Sequence, residues 1–198
     1  KDVHHFDITA GYDGYSYEYT ELAGSGQNLY DPESFYISNT IDKKTASGMK
    51  LTYATESFFG RVNYSYDDKY FGNVSYRRDA SSRFAPENRW GDFWAASVAW
   101  MITREDFMKD IAWVNMLKLK ASFGQQGNDD ILFAGGYTVG GSSKNYYPWQ
   151  DQYNMTGADG VFSDGTMIAK GNRDLTWETS TSYNVGIDFA LFNNRLNG

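Results

Sequence analysis

Residues 63–88 read NYSYDDKYFGNVSYRRDASSRFAPEN: two alternating, aromatic-rich strands joined by the polar turn Asp67-Asp68-Lys69, then a basic, serine-rich loop. Successive side chains of a strand point to opposite sides, so a strand with one apolar and one wet face sorts its residues by parity. From Tyr70 to Arg78, the residues Tyr70, Val74 and Tyr76 oppose Asn73, Ser75 and Arg77. The preceding strand, Thr52 to Tyr66, sets Phe58, Gly60, Val62, Tyr64 and Tyr66 against Arg61 and Asn63, with Phe59 an exception on the polar side.

The same sorting recurs three times. Trp94, Ala96, Val98, Trp100 and Ile102 oppose Ala95, Ser97 and Ala99; Leu117, Leu119, Ala121 and Phe123 oppose Lys118, Lys120, Ser122 and Gly124. From Thr176 to Leu191, Trp177, Tyr183, Val185, Ile187 and Phe189 oppose Glu178, Asn184, Gly186 and Asp188. A first strand is expected from His5 to Thr20, and residues 21–47 read as a polar loop. Thr103, followed by Glu105 and Asp106, reads as the N-cap of one short helical turn near 104–111. Turn signals fill residues 125–176, where a hairpin is expected from Phe133 to Val139.

Alternation alone does not say whether the apolar face meets a protein core or lipid. Tyr64, Tyr66 and Tyr70 flank the first turn, and Tyr15, Tyr17 and Tyr19 crowd the far end of the first strand, as interfacial aromatic girdles do in outer-membrane barrels. Connections alternate short and long, again as in such barrels. The longest near-apolar run, Phe93 to Ile102, is too short for a spanning helix of roughly 20 residues but matches one tilted barrel strand of about 9–11. With 16 Tyr, 13 Phe, 6 Trp and 20 Gly against 3 Pro, the composition suits twisted strands rather than helices or disorder. The expected fold is therefore all-β: an antiparallel transmembrane β-barrel segment of about six or seven strands. The alternative is a soluble all-β carbohydrate-binding module whose aromatics form its core and platform.

A net charge of -7, with Arg77, Arg78 and Arg83 the one local basic group, argues against a nucleic-acid partner. The absence of Cys removes disulfides and thiolate chemistry. His4 and His5, the two histidines, are adjacent in a strand, so they point apart and cannot share a metal. No spacing fixes two carboxylates at the separation that hydrolysis needs. Neither enzyme, metal nor cofactor is read from these residues. Lys1 to His5 contains no apolar core of signal-peptide length, so either a signal has been removed or the chain begins within a longer protein.

Several motifs, in order, resemble one family. They are Phe59-Gly60-Arg61-Val62-Asn63-Tyr64, Arg77-Arg78-Asp79-Ala80-Ser81-Ser82-Arg83-Phe84 with Asn88-Arg89-Trp90-Gly91, and Leu117-Lys118-Leu119-Lys120-Ala121-Ser122-Phe123-Gly124. Asp174-Leu175-Thr176-Trp177-Glu178 and Asn184-Val185-Gly186-Ile187-Asp188-Phe189 follow. Together these are similar to the barrel of SusC/RagA-type TonB-dependent outer-membrane transporters, with Ala80 standing where the family usually has Gly.

The resemblance implies a barrel of about 22 strands, of which this chain would be a part spanning residues 1–198. It further implies a plug domain and a TonB-contacting segment, both absent from this chain, a SusD-like surface lipoprotein, and the TonB-ExbB-ExbD system. The expected cargo is an oligosaccharide or peptide imported across a Bacteroidetes-type outer membrane. Arg61, Asn63, Asn73, Arg77, Lys118, Lys120, Asn184 and Asp188 would line the plug or lumen, opposite outer-membrane lipid. Tyr146, Tyr147, Trp149 and Tyr153 are candidates for stacking on substrate or packing against the lid. Arg83 and Arg89 are candidates for substrate or lid contact, or for a salt-bridge network with Arg77, Asp79 and Glu87 that stitches the loop to its neighbours.

Overall fold

A computed structural model describes residues 3–130, 137–139, 142–144, 146–158 and 161–198. In chain order the strands are β1 (His4–Leu29), β2 (Thr40–Tyr66), β3 (Tyr70–Ser81), β4 (Trp90–Met101), β5 (Val114–Asn128), β6 (Tyr137–Val139), β7 (Ser142–Lys144), β8 (Gln152–Ala158), β9 (Val161–Ala169), β10 (Glu178–Leu191) and β11 (Leu196–Asn197). Seven of them form one sheet in the order β1-β2-β3-β4-β5-β10-β11, while β6-β7 and β8-β9 are separate two-stranded ribbons. From β2 to β11 the pairings are antiparallel. The chain divides into two compact units, Lys1–Gly14 with Thr55–Gly198, and Tyr15–Ala54.

In the larger unit the register aligns residues of one kind into rows across the sheet. Val62, Val74, Ala96, Phe123 and Tyr183 form one row; Tyr64, Gly72, Val98, Ala121 and Val185 the next; Tyr66, Tyr70, Trp100, Leu119 and Ile187 a third. This face is bare: Tyr183 is 75% and Val185 80% exposed. Rings close the band at both ends. Tyr70 stacks on Trp100 at 6.3 Å near the short turn, and Tyr12, Phe58 and Trp90 follow one another at 5.1 and 6.1 Å toward the long loops. The eight residue steps from Phe58 to Tyr66 span about 26 Å along the strand, or about 20 Å of height at a tilt of ~40°, close to the ~25 Å apolar band of outer-membrane barrels.

The short connections rest on left-handed backbone. Asp67 and Asp68 have φ of 47° and 52°, and Asn193 and Asn194 have 54° and 63°. Asp and Asn tolerate that region better than other side-chain-bearing residues, which suits both turns.

Three sequence expectations are corrected. Residues 21–47 are a loop only between the strands: within the unit Tyr15–Ala54, β1 continues to Leu29 and β2 begins at Thr40, leaving residues 30–39 as the connection. Strand pairing there is accompanied by polar contacts such as Ser25 with Thr45 at 2.7 Å and Lys50 with Glu18 at 2.9 Å. Both faces are largely exposed, so no apolar parity marks the strand. Tyr17 and Tyr19 accordingly lie mid-strand rather than at a strand end.

The helical turn at 104–111 is instead two 3-10 turns, Ile102–Arg104 and Asp106–Met108, neither with a side-chain cap. Thr103 Oγ1 accepts from the Leu117 amide and does not cap. Trp177 does not share the apolar face of β10: it precedes the strand and packs against Phe84 and Phe93, each ring at 5.5 Å. Of the hairpin expected at 133–139, residues 133–136 lie outside the described residues, while Tyr137–Val139 pairs with Ser142–Lys144.

Candidate functional site

The face opposite the apolar rows is polar. Asn63, Asn73, Ser97, Ser122 and Asn184 form one row in register, and Arg61, Ser75, Ala95, Gly124 and Ser182 the next. Asn73 Nδ2 donates to Asn63 Oδ1, and Asn63 Nδ2 donates to Asp7 Oδ1 at 2.9 Å, so a hydrogen-bonded chain crosses three strands. Sequence reading missed Asp7, because its partner lies 56 residues away. Toward the short turns, Lys120 Nζ meets Asp188 Oδ1 at 2.5 Å, and Lys118 Nζ lies 5.7 Å from the centre of the Phe71 ring. At the other end Arg77 Nε bonds Asp79 Oδ1 at 2.6 Å, and its Nη2 bonds Ser57 Oγ at 3.0 Å. Small residues between these groups leave a floor against which another body can pack closely.

The serine-rich loop after β3 folds into a dense core, the largest buried cluster among the described residues of this unit. Phe84 and Ala85 are fully buried, beside Ala80, Ser81 and Phe93. Trp177 covers them, and its Nε1 donates to the Arg89 carbonyl at 2.9 Å. Arg83 lies within this core at 6% exposure: its Nη1 donates to the Asp129 carbonyl at 3.0 Å and to Asp130 Oδ1 at 2.7 Å. Ser81 Oγ donates to Asp129 Oδ2 at 2.6 Å. On the opposite flank Arg173 grips Glu87 with Nε and Nη2 at 2.9 and 3.1 Å, and Asn88 Nδ2 donates to the Arg173 carbonyl at 2.8 Å. The loop is thereby wedged between the two feet of the 129–177 excursion.

The four aromatic candidates fall in different surroundings. Tyr146 is buried beneath the Arg83 guanidinium, 5.8 Å from its ring centre. Trp149 lies under the Arg173 guanidinium at 5.5 Å. Tyr147 is half-buried, its carbonyl accepting from Gln152 Nε2 at 3.2 Å, whereas Tyr153 stands 47% exposed. Arg89 is half-buried, its carbonyl serving Trp177. Neither Arg173 nor Asp130 stood out in the sequence, because no local spacing links them to Glu87 or Arg83.

The model of the TonB-dependent receptor-like β-barrel matches residues 2–198. The chain belongs to the TonB-dependent receptor family. It is 33% identical over 181 residues to TonB-dependent receptor P39 of Formosa agariphila, covering 91% of this chain and 16% of that protein. It is 33% identical over 179 residues to TonB-dependent receptor SusC of Bacteroides thetaiotaomicron, covering 88% and 16% respectively. A structure of the RagAB peptide transporter superposes on all of this chain and 21% of its own, with a TM-score of 0.81 and 26% identity. A RagAB peptide importer in the "open-open" state matches with a TM-score of 0.78 over 98% of this chain. The chain thus spans about a sixth of the length of these curated relatives.

Membership in the TonB-dependent receptor family assigns a solvent to each face. The chain is part of an outer-membrane β-barrel, and the soluble carbohydrate-binding module is set aside. The rows through Val74 and Val185 are the wall's apolar side, and the row through Asn63 and Asn184 its polar side. At the short-turn end of this receptor wall Glu105 ties the aromatic ring row down, accepting from Tyr70 Oη at 2.6 Å and Trp100 Nε1 at 2.9 Å. The Tyr70 hydrogen bond, then that from Trp100, hold the Glu105 carboxyl below its ordinary range.

Proposed function

We propose that this chain is a length of barrel wall in a SusC-like, TonB-dependent importer of oligosaccharides or peptides. The observation that carries the reading is the polar ladder from Asp7 to Asn73 on a wall whose fold matches the RagAB peptide transporter along its whole length. In this reading Arg61, Asn63, Asn73, Arg77, Lys118, Lys120, Asn184 and Asp188 line the plug or lumen. The loop core around Phe84 braces the mouth, and half-exposed Tyr153 is the aromatic best placed to meet cargo or lid. A SusD-like surface lipoprotein covers the mouth, and the TonB-ExbB-ExbD system supplies energy through parts outside this chain. The wall positions and encloses cargo and has no catalytic part in import.

Uptake of labelled oligosaccharides and labelled peptides by cells carrying the full-length transporter tests this directly. TonB-dependent uptake of either class supports the reading. Uptake of neither, by a correctly inserted barrel, contradicts it.

A further inference from the structure

Both arginines that grip the excursion also cover an aromatic ring of its 146–149 segment, but their surroundings differ. The Arg83 side chain is 7% exposed and bonded to the Asp129 carbonyl and Asp130 carboxylate. The Arg173 side chain is 61% exposed and its partner Glu87 49%. Shielded, multiply bonded charges hold firmly, whereas exposed pairs are weak and screened by salt. The Arg83 contact is an anchor and the Arg173–Glu87 ion pair a weak one, while Trp177 holds the end of the second foot in the loop core.

The backbone near Arg173 forms a narrow neck below the β8-β9 ribbon. Asn172 N donates to the Pro148 carbonyl at 3.0 Å, and Gly171 N donates to Asp151 Oδ1 at 2.8 Å. A Cβ at Gly171 would lie 2.5 Å from the Gln150 carbonyl carbon and 2.6 Å from the Trp149 oxygen, so only glycine allows this approach. The closed neck shuts the Trp149 indole N–H from solvent without a protein acceptor among the described residues. That arrangement opposes closure, because a buried donor loses its hydration.

We propose that Arg173 is a releasable latch: with Glu87 below and Trp149 beneath its guanidinium, it fastens the neck of the β8-β9 ribbon to the loop 81–90, while Arg83 remains fixed. When the pair opens, the ribbon and its neck loosen between two fixed points, the Arg83 contact and Trp177 in the loop core, and the sheet stays intact. The inference rests on the contacts of this chain and stands whether or not the cargo is a glycan or peptide.

Hydrogen exchange of the full-length transporter in outer-membrane vesicles tests it, followed at Gln152–Ala158 and Val161–Ala169, with Val114–Asn128 as internal control. Glu87→Gln and Arg173→Gln should each speed exchange in the ribbon by about 2–5-fold, the range of an exposed ion pair, and leave the control strand unchanged. Raising salt from about 0.05 M to about 1 M should do the same to the unaltered protein. Arg173→Lys, which keeps the charge and loses the two-pronged grip, should speed it by less than ~1.5-fold. Unchanged ribbon exchange in both Gln variants would overturn the latch. So would equal acceleration of ribbon and control strand, or a Lys variant as loose as the Gln variant.

Discussion

Lys120 and Asp188 face each other diagonally on the polar side of the wall, Nζ to Oδ1 at 2.5 Å, and the residue that allows this is Gly186. A Cβ at Gly186 would lie 2.9 Å from Lys120 Cε, so the lysine stem crosses the neighbouring strand where a side chain would block it. Asp188→Asn should destabilise the barrel by only about 0.2–1 kcal/mol, as for other solvent-exposed pairs. Gly186→Val should cost no more than about 1 kcal/mol, because the lysine end it displaces is flexible and valine suits a strand. Denaturant unfolding in lipid vesicles measures both; a loss well above about 1 kcal/mol in either variant would refute the account of this pair as an exposed, weak contact.

Depth on the apolar side should set the penalty for charge. Val74 lies in the middle of the band, Val185 one row nearer the short turns and Ile187 in the row of Tyr70 and Trp100. Val74→Arg should cost about 2–4 kcal/mol, Val185→Arg less and Ile187→Arg about 0–1 kcal/mol. Asn73→Arg and Asn184→Arg, on the polar side, should each cost less than about 1 kcal/mol. The same unfolding assay reads the series.

Phe84 has no exposed surface and touches Trp177. Phe84→Ala should destabilise the loop core by about 3–5 kcal/mol, as large-to-small changes at buried aromatic sites do. Because most of the strand pairings lie outside this core, the barrel should still form. The checks are faster proteolysis within residues 81–90, a shifted Trp177 emission and unchanged heat-modifiable mobility of the full-length protein.

Glu105 should make the aromatic ring row sensitive to acid. Its folded-state pKa is depressed by the Tyr70 and Trp100 hydrogen bonds. Its contribution is therefore complete above the ordinary carboxylate value and fades as pH falls through the depressed one. Trp100 emission should shift in that acid range, and Glu105→Gln should remove the pH response. A Gln variant that retains the same acid shift would show that another group controls Trp100.

Inside the membrane band the fold was legible because the two faces meet different media: Val185 and Asn184 differ in kind, so parity alone separated them. Where both faces are wet, as along residues 21–29 and 40–47, the backbone pairs without leaving that mark, and sequence alone gives a loop there. Alternation alone puts Asn63, Asn73 and Asn184 on the polar parity of their strands, whereas the register that aligns them in one row comes from strand pairing. Arg83 and Glu87 were visible as charges, but their partners Asp130 and Arg173 were not. Pairings across 47 and 86 residues depend on the excursion returning to the same loop, which no local pattern encodes.

The most direct test of the central claim is single-cysteine scanning of Tyr183 to Asp188 in the full-length transporter, facilitated by the absence of Cys from this chain. Spin labels at 183, 185 and 187 should collide with oxygen dissolved in lipid and be shielded from a water-soluble nickel reagent, while labels at 184, 186 and 188 should lack the oxygen signature. Equal oxygen access at both parities, or the reverse pattern, would contradict the assignment of this sheet as an outer-membrane barrel wall with its polar face turned inward.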